Sequence, residues 1–403
     1  MRVQRYHSRL TFRKQRRRRS GCLSLAVLSG LLVSIIAVSW NWIGQQRSTT
    51  PAAAPSDGLM AAAALAFERG DLDGAINLSR QLLATRPDHA DALALLVRAL
   101  IYRSYSEYDR APDRQAALQL AEEAAARYPA GRAFQAILAY AQQAAGQPVE
   151  AAKTAQRVLD ADPNNALARV ALALAYGSVG SFEIALRESQ QAAASPDWAL
   201  ESQRALAISY GDMGDYRSAI AAIERAIQIN SRLIPLYFER ALYALQIGDA
   251  DAATAAYFQV LVYDPENVKA RLRLCELSSL LREHDAAVNY CSQVTERAAG
   301  WADGWYQLGL EYFLIGDFKA AQNALHRCSS LQVMQNVPVN ERRFECWYLQ
   351  GQAAEIVGDC QGLLATYNEF RAMSASAPVP QTWTYPPEGP PGCSAAVSPS
   401  PGS

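Results

Sequence analysis

The sequence predicts an all-α solenoid of helical hairpins that is preceded by one transmembrane helix. Three observations support this prediction: an uncharged apolar run near the N-terminus, a 34-residue periodicity over most of the chain, and a composition that is 50% hydrophobic. A fixed period of this length is typical of proteins in which each repeat is one supersecondary unit that stacks on its neighbours. The elements are taken below in chain order.

The N-terminal region has the features of a membrane anchor. Residues 1–20 hold nine basic side chains and no acidic one, and residues 21–43 are uncharged and largely apolar. A run of about 20 apolar residues spans the hydrocarbon core as a helix. The cluster Arg16–Arg19 precedes the run and only Arg47 follows closely, so residues 1–20 are predicted to be cytoplasmic and the rest of the chain extracytoplasmic. We therefore expect a single-pass protein of the cell membrane.

A cleaved signal peptide is the alternative interpretation of this region. Ala52–Ala54 would be the small-residue cleavage site after a basic segment. The apolar run is longer than a usual signal-peptide core, and the alanines lie well beyond its end, so the uncleaved anchor is favoured. Residues 44–55 are rich in Gln, Ser, Thr, Pro and Ala, and they are predicted to form a flexible linker.

The register of the repeats is set by one well-preserved unit. It contains Trp305, Leu308, Gly309 and Tyr312 on a first helix and Ala321 on a second. With Trp305 as the fourth residue of a unit, repeats are predicted to begin near residues 56, 90, 132, 166, 200, 234, 268, 302 and 344. The turn between the two helices then falls on Gly146, Gly180, Gly214, Gly248 and Gly316, and Arg282 is the exception.

Two insertions interrupt the period. The interval from Gly70 to Gly146 exceeds two periods by eight residues, which fit best at Ser104–Pro112; a matching insertion is placed at Asn336–Arg343. The array is predicted to span residues 56–377. Its last unit has Leu363 where alanine is expected, which suggests a terminal cap whose outer face differs from the internal units.

The spacing of Trp305, Leu308, Gly309, Tyr312 and Ala321 resembles the tetratricopeptide repeat (TPR). This resemblance implies a right-handed superhelix of about nine helical hairpins, which binds peptides or proteins on a concave face lined by the first helices. A membrane helix followed by such an array also resembles bacterial envelope assembly and quality-control factors. The resemblance thus implies a membrane-tethered protein-interaction scaffold.

Apolar residues occupy most inward positions of the first helices, which favours an amphipathic or hydrophobic peptide as partner. The candidate groove residues are Tyr140, Leu174, Ile208, Phe238, Leu242, Tyr306, Leu310 and Phe313. At each position the alternative is that the side chain only packs between repeats. Arg98, Arg204 and Glu276 are scattered inward charges. The inward positions lack the set of Lys and Asn residues with which one TPR subgroup binds the acidic tails of chaperones, so a chaperone tail is not the expected partner.

Nothing in the sequence predicts catalysis. The chain has four histidines, and it contains no phosphate-cradling glycine loop, metalloprotease motif or nucleophile-elbow motif. We therefore expect no catalytic, cofactor or metal site and no small-molecule substrate. Beyond residue 20 the chain has 29 basic and 39 acidic side chains, so nucleic acid is not an expected partner. The remaining alternative role is an accessory subunit of an envelope enzyme or secretion machine.

Six cysteines outside the predicted membrane segment favour disulfides, which form in an extracytoplasmic compartment. They are Cys275, Cys291, Cys328, Cys346, Cys360 and Cys393. Cys275 and Cys291 fall on the two helices of one hairpin, and Cys328 could face Cys346 across the second insertion. Fifteen pairings remain open. A buried free thiol is the alternative for Cys275, and zinc with His284 or His326 is disfavoured because no C-x2-C motif is present.

The C-terminal residues 378–403 are rich in Pro, Ser and Gly, and they are predicted to be a disordered tail. Trp383 and Tyr385 are the exceptions in composition. Docking of these two side chains on the array is the alternative that the sequence leaves open.

Overall fold

The computed structural model describes residues 56–377 together with Trp383 and Cys393. This part of the chain forms eighteen α-helices, one short 3-10 helix and no strand, so the all-α solenoid prediction is confirmed. Within it, no helix is both long enough and apolar enough to cross a membrane. The predicted cytoplasmic segment 1–20, membrane helix 21–43 and linker 44–55 lie outside the described residues.

The helices pair into nine consecutive hairpins. Hairpins 1 to 3 are α1 (Ser56–Glu68) with α2 (Leu72–Thr85), α3 (Ala90–Ser106) with α4 (Pro112–Arg127), and α5 (Arg132–Ala144) with α6 (Pro148–Ala161). Hairpins 4 to 6 are α7 (Ala166–Ser178) with α8 (Phe182–Ala193), α9 (Ala199–Asp212) with α10 (Tyr216–Ile229), and α11 (Ile234–Gln246) with α12 (Ala250–Tyr263). Hairpins 7 to 9 are α13 (Val268–Leu280) with α14 (His284–Arg297), α15 (Ala302–Leu314) with α16 (Phe318–Met334), and α17 (Glu345–Val357) with α18 (Cys360–Ser374).

A left-handed residue makes the turn inside most hairpins. Glycine takes this conformation at little cost because it has no Cβ, and Gly248 has φ +76°. Arg282 occupies the same turn position in hairpin 7 and has φ +61°, which an L-residue adopts only with strain. An aspartate commonly follows: the Asp249 carboxylate accepts the backbone N–H of Ala252 at 2.9 Å and caps α12. Turn and cap together fix where each second helix begins.

Small side chains let the two helices of a hairpin approach closely. The periodic alanine of the second helix is fully buried in all six in-register units: Ala151, Ala185, Ala219, Ala253, Ala287 and Ala321. Gly309 plays the matching role on α15, where an added Cβ would lie 2.6 Å from Leu325. The periodic small residues are therefore structural.

The two insertions are accommodated differently. In hairpin 2, α3 continues to Ser106 before the chain turns into α4 at Pro112. Between hairpins 8 and 9, α16 ends at Met334, and the connection to α17 contains the 3-10 helix Val339–Glu341.

Three disulfides link the six cysteines. Cys275 pairs with Cys291 between the helices of hairpin 7, and Cys328 pairs with Cys346 between hairpins 8 and 9, as their spacing suggested. The third disulfide joins Cys360, the first residue of α18, to Cys393 in the tail. Trp383 is also buried. The docked alternative therefore applies to Trp383, while residues 378–403 other than Trp383 and Cys393 lie outside the described residues.

The curvature of the array brings hairpin 2 into contact with hairpin 7. Glu107, just after α3, accepts the backbone N–H groups of Val268 (2.7 Å) and Lys269 (2.9 Å) at the start of α13. The Asn267 side chain donates to the Ser106 carbonyl at 3.0 Å. These hydrogen bonds join hairpins 2 and 7 across more than 160 residues of sequence. We call this set of contacts the closure.

Further contacts extend the closure on both sides. The Tyr108 and Trp301 rings stack with centroids 4.3 Å apart. Near hairpin 1, the buried Asn230 side chain donates to the Phe67 carbonyl at 3.1 Å. The first two hairpins are thus held against hairpins 5 to 8.

Candidate functional site

The concave side of the array is filled at its centre by α3. Arg98 of α3 forms a two-point ion pair with the buried Glu201 of α9, with N···O distances of 2.8 and 3.2 Å. Its guanidinium lies 4.7 Å from the Phe67 ring centroid and 5.0 Å from that of Trp198. Breaking a buried pair leaves an uncompensated charge, so this contact opposes withdrawal of α3.

A second buried ion pair lies next to the first on the concave side. Arg204 of α9 meets Glu239 of α11 at 2.5 Å, and its guanidinium lies 5.1 Å from the Tyr105 ring centroid. The Tyr140 hydroxyl lies close to this cluster, is buried, and has no hydrogen-bond partner among the described residues. Burial and the charge of Glu201 raise the pKa of Tyr140, so its hydroxyl stays protonated.

Tyr105 and Arg204 divide the remaining concave surface into two pockets. The larger pocket, of about 470 Å³, lies between hairpins 6 and 7. The smaller one, of about 210 Å³, lies beside hairpins 4 and 5. Both pockets are lined by Tyr105 and Arg204. The concave face is therefore not one continuous groove.

The larger pocket has the properties of a peptide-binding site. Its apolar lining is Phe238, Leu242, Leu245, Leu277 and Leu280, and we call it the hairpin 6–7 pocket. Leu242 is 52% exposed and Leu280 is 73% exposed, although both face a concave surface. Exposed aliphatic side chains in a concavity favour a partner that covers them.

Charged groups border this apolar lining. The Lys269 ammonium lies 4.5 Å from the Phe238 ring centroid and donates to the Tyr105 carbonyl at 2.6 Å. Burial, aided by the nearby Arg273 charge, lowers the pKa of Lys269 to about 8. Arg273 itself pairs with Glu276 at 2.6 Å. A partner therefore meets an apolar floor with a mixed-charge border.

The predicted groove residues are distributed over three places. Phe238 and Leu242 line the hairpin 6–7 pocket, whereas Leu174 and Ile208 line the smaller pocket. Tyr140 is buried under the central ion pairs, so at this position the structure shows the packing alternative.

The three predicted residues on α15 lie apart from both pockets. Arg343 covers the Tyr306 ring at 4.4 Å, and Phe313 packs edge-to-face on Phe318 of its own hairpin. Leu310 is half-buried beside them. Their part in binding stays a prediction.

Sequence reasoning missed Leu245, Leu277, Leu280 and Lys269. The sequence pattern could have indicated Leu280, because an aliphatic residue recurs at this position in the next two units. These residues are Leu314 and Ile356, and both are exposed. Lys269 could not be found in this way, because its environment depends on Tyr105 and Glu107 from hairpin 2. Among the described residues, no group of three or more His, Cys, Asp or Glu side chains is placed to hold a metal ion.

These features define an α-helical repeat scaffold with a concave binding pocket. Residues 205–232 and 302–332 match the family model described as tetratricopeptide repeat, and these matches lie within the units that begin near residues 200 and 302. No curated protein matches the sequence. The sequence match and the fold together support the tetratricopeptide-repeat family, whose members generally mediate protein–protein interaction.

One solved structure shares the fold of this chain, and two others show a partial similarity. The structure titled as the APC/C hetero-tetramer Cut9-Hcn1 is similar over 79% of this chain, with a TM-score of 0.56 and 15% identity. The matched region spans 59% of that chain's length. PilW, a type IV pilus biogenesis factor, is similar over 51% of this chain and 94% of its own (TM-score 0.45, 17% identity). YrrB, a TPR protein with an unusual peptide-binding site, is similar over 45% and 93% (TM-score 0.36, 18% identity).

Proposed function

We propose that this protein is a non-catalytic scaffold that binds a peptide or protein segment in the hairpin 6–7 pocket. The observation that carries the proposal is the exposure of Leu242 and Leu280 in a concavity between hairpins that are otherwise well packed. Burying a fully exposed leucine contributes roughly 1.5–3 kcal/mol before the costs of ordering, and Leu242 and Leu280 would gain the part of this that matches their exposed surface.

The pocket favours an amphipathic segment over a wholly apolar one. Lys269, Arg273 and Glu276 lie at its border, so polar groups of a bound segment have partners of both signs. The two pockets are separated by Tyr105 and Arg204, which limits a short segment to one of them. We therefore propose that hairpins 6 and 7, and not the whole concave face, contact the partner.

Site-specific photocrosslinking tests this proposal with closely matched positions. A crosslinking amino acid at Leu280 samples the pocket, whereas one at Leu281 samples the turn next to it, which is 45% exposed. We expect a discrete partner adduct from position 280 that is absent at position 281 and is lost when Leu242 is changed to Asp. Equal adducts at both positions, or adducts unaffected by Leu242→Asp, would refute the pocket assignment.

We also propose that residues 21–43 tether the scaffold to the membrane with the array on the extracytoplasmic side. The support is the sequence: an apolar run with a basic segment before it. Three disulfides in the described region agree with an oxidising compartment. Mass measurement of the native N-terminus tests the anchor, since a start near residue 55 would show a cleaved form. Envelope assembly or quality control is the proposed setting.

A further inference from the structure

The hairpin 6–7 pocket contains one positive charge that its own carboxylates do not pair. Its charged lining residues are Arg204, Glu239, Lys269, Arg273 and Glu276. Arg204 pairs with Glu239, and Arg273 pairs with Glu276. Among the described residues, no carboxylate forms an ion pair with Lys269, so the charged groups of the lining leave one positive charge unbalanced.

The Lys269 ammonium also has unused hydrogen-bonding capacity. It donates to the Tyr105 carbonyl at 2.6 Å, which uses one of its three N–H groups. The Phe238 ring covers it on one side, with 4.5 Å between the ammonium nitrogen and the ring centroid. Glu107 fixes the backbone of the same residue by accepting its N–H. The closure thus holds this ammonium in the pocket with donors left over for a bound partner.

The surroundings of Lys269 disfavour an uncompensated positive charge. Burial is the main cause of its lowered pKa, and the Arg273 charge adds to it. Lys269 is also the second residue of α13, where the partial positive charge of a helix N-terminus opposes a cation. Glu107 and Glu239 compensate only in part. A carboxylate from a partner would therefore remove an electrostatic cost that is present in the free chain.

The length of α13 sets the spacing of the groups that a partner must present. Lys269 and the exposed Leu280 lie at opposite ends of this helix, and both line the pocket. They are separated by 11 positions, which corresponds to about 16 Å of helix axis. About five residues of extended chain cover that distance. A short segment can therefore reach Lys269 and Leu280 together.

We propose that the segment bound in the hairpin 6–7 pocket carries an aspartate or glutamate side chain that pairs with Lys269, about 16 Å from an aliphatic residue that covers Leu280. This inference rests on the function proposed above and names the chemistry of the partner. Leu242 and Leu280 supply apolar contact, whereas Lys269 selects the charge. A basic segment is rejected because it would place a second positive charge beside an unpaired ammonium.

Selection from a library of random peptides tests this inference on the full-length chain in detergent. The peptides are displayed at the N-terminus of a phage coat protein, so they have no free C-terminus and any acidic preference comes from side chains. We expect the wild type to enrich Asp and Glu, and Lys269→Glu to enrich Lys and Arg instead. Lys319→Met, which removes an exposed lysine of α16, is the control and should select as the wild type does.

Leu242→Asp separates failure of this inference from failure of the pocket. Selected peptides that lose binding to Leu242→Asp but show no acidic enrichment would overturn the pairing with Lys269 and leave the pocket in place. Peptides that bind the wild type and Leu242→Asp equally would overturn the pocket and the pairing together.

The pH dependence of affinity gives a second readout. The probe is a selected acidic peptide, acetylated at its N-terminus and free of His, Cys, Tyr and Lys. At pH 7 the wild type should bind it at least about tenfold more tightly than Lys269→Met does. Above about pH 8 the free chain loses the Lys269 proton, so its affinity should fall toward that of the variant.

The comparison with Lys269→Met isolates the lysine from its charged neighbours. These groups are common to both proteins: Arg114, Arg204, Arg273, Glu107, Glu239 and Glu276. Equal affinities at pH 7, or parallel pH profiles for the two proteins, would overturn the pairing.

Discussion

Glu107 accepts the backbone N–H of Lys269 at 2.9 Å, although the two residues are separated by 162 positions. Its other carboxylate oxygen accepts the N–H of Val268, so Glu107 caps the first turn of α13 from another hairpin. A carboxylate is favourable there because the first N–H groups of a helix lack partners within the helix and carry partial positive charge. Through this cap, hairpin 2 supports one wall of the hairpin 6–7 pocket.

Replacing Glu107 with Ala is expected to loosen the closure. Two charge-assisted hydrogen bonds are lost and the first N–H groups of α13 become unpaired, which should cost about 1–3 kcal/mol locally. Hydrogen exchange should show faster exchange at Val268, Lys269 and in α3, with α5 to α8 unchanged. Glu122→Ala, an exposed position on α4, is the control. Unchanged protection at Lys269 would show that the closure does not depend on this carboxylate.

Stability is expected to rise with pH above about 8 because of Lys269. Its pKa in the folded chain is lowered to about 8, below the roughly 10.4 of an unfolded lysine. Burial is the main cause of the lowered pKa, Arg273 and Arg114 add to it, and Glu107 and Glu239 oppose it. Between the two values the unfolded chain binds more protons, so raising the pH favours the folded chain. Below about 8 the lysine is charged in both states and the contribution is constant.

Urea unfolding from about pH 7 to 10 measures this effect as the difference between wild type and Lys269→Met. The variant keeps the aliphatic stem but cannot titrate. We expect the wild-type midpoint to rise relative to the variant as pH increases through this window. Parallel pH profiles for the two proteins would contradict the burial of Lys269 described here.

Arg282→Gly is expected to stabilise hairpin 7. Arg282 holds a φ of +61° where the other described turns of this type use glycine. Removing the side chain relieves left-handed strain, which should contribute about 1 kcal/mol despite the greater freedom of glycine in the unfolded chain. Slower hydrogen exchange in α13 and α14 would show this. Gly248→Arg makes the reverse change at the equivalent turn of hairpin 6 and should destabilise it; equal effects of both substitutions would exclude strain as the cause.

Gly351→Val is expected to displace Trp383 from its contacts with Tyr348, Tyr367 and Phe370. A Cβ at position 351 would overlap the indole, whereas a Cβ at Gly304 or Gly309 of hairpin 8 would meet Val294 or Leu325. Limited proteolysis should then cleave within residues 378–392 faster than in the wild type, with α1 to α16 resistant. Ala353→Val, on the buried side of α17, is a control that should destabilise packing between hairpins 8 and 9 without this selective cleavage. Unchanged cleavage in Gly351→Val would place the tryptophan elsewhere.

Local patterns predicted most of the fold. The 34-residue register located the turn glycines and the buried alanines, because both are fixed within a single hairpin. The closure could not be predicted in this way. It depends on the curvature accumulated over the intervening hairpins, which brings Glu107 to Lys269 and Asn230 to Phe67. A repeat pattern specifies neighbours in the array but not contacts between distant repeats.

The candidate site was predicted only in part for the same reason. Phe238 and Leu242 were found as inward positions of one helix. Tyr140 fits the same pattern, yet it is buried because α3 fills the concave face opposite it. The pairing of Cys360 with Cys393 and the burial of Trp383 also involve long-range contacts, which composition alone cannot show.

Affinity for the segment identified by crosslinking at Leu280 tests the central claim most directly. Titration calorimetry should show a dissociation constant that is at least about tenfold higher for Leu242→Asp than for the wild type. A factor of ten corresponds to about 1.4 kcal/mol, and burying a charge without a partner costs more than this. Ile247→Asp, at a similarly exposed turn position outside the pocket, should bind as the wild type does. Equal affinity of the Leu242→Asp and Ile247→Asp proteins would contradict a binding site between hairpins 6 and 7.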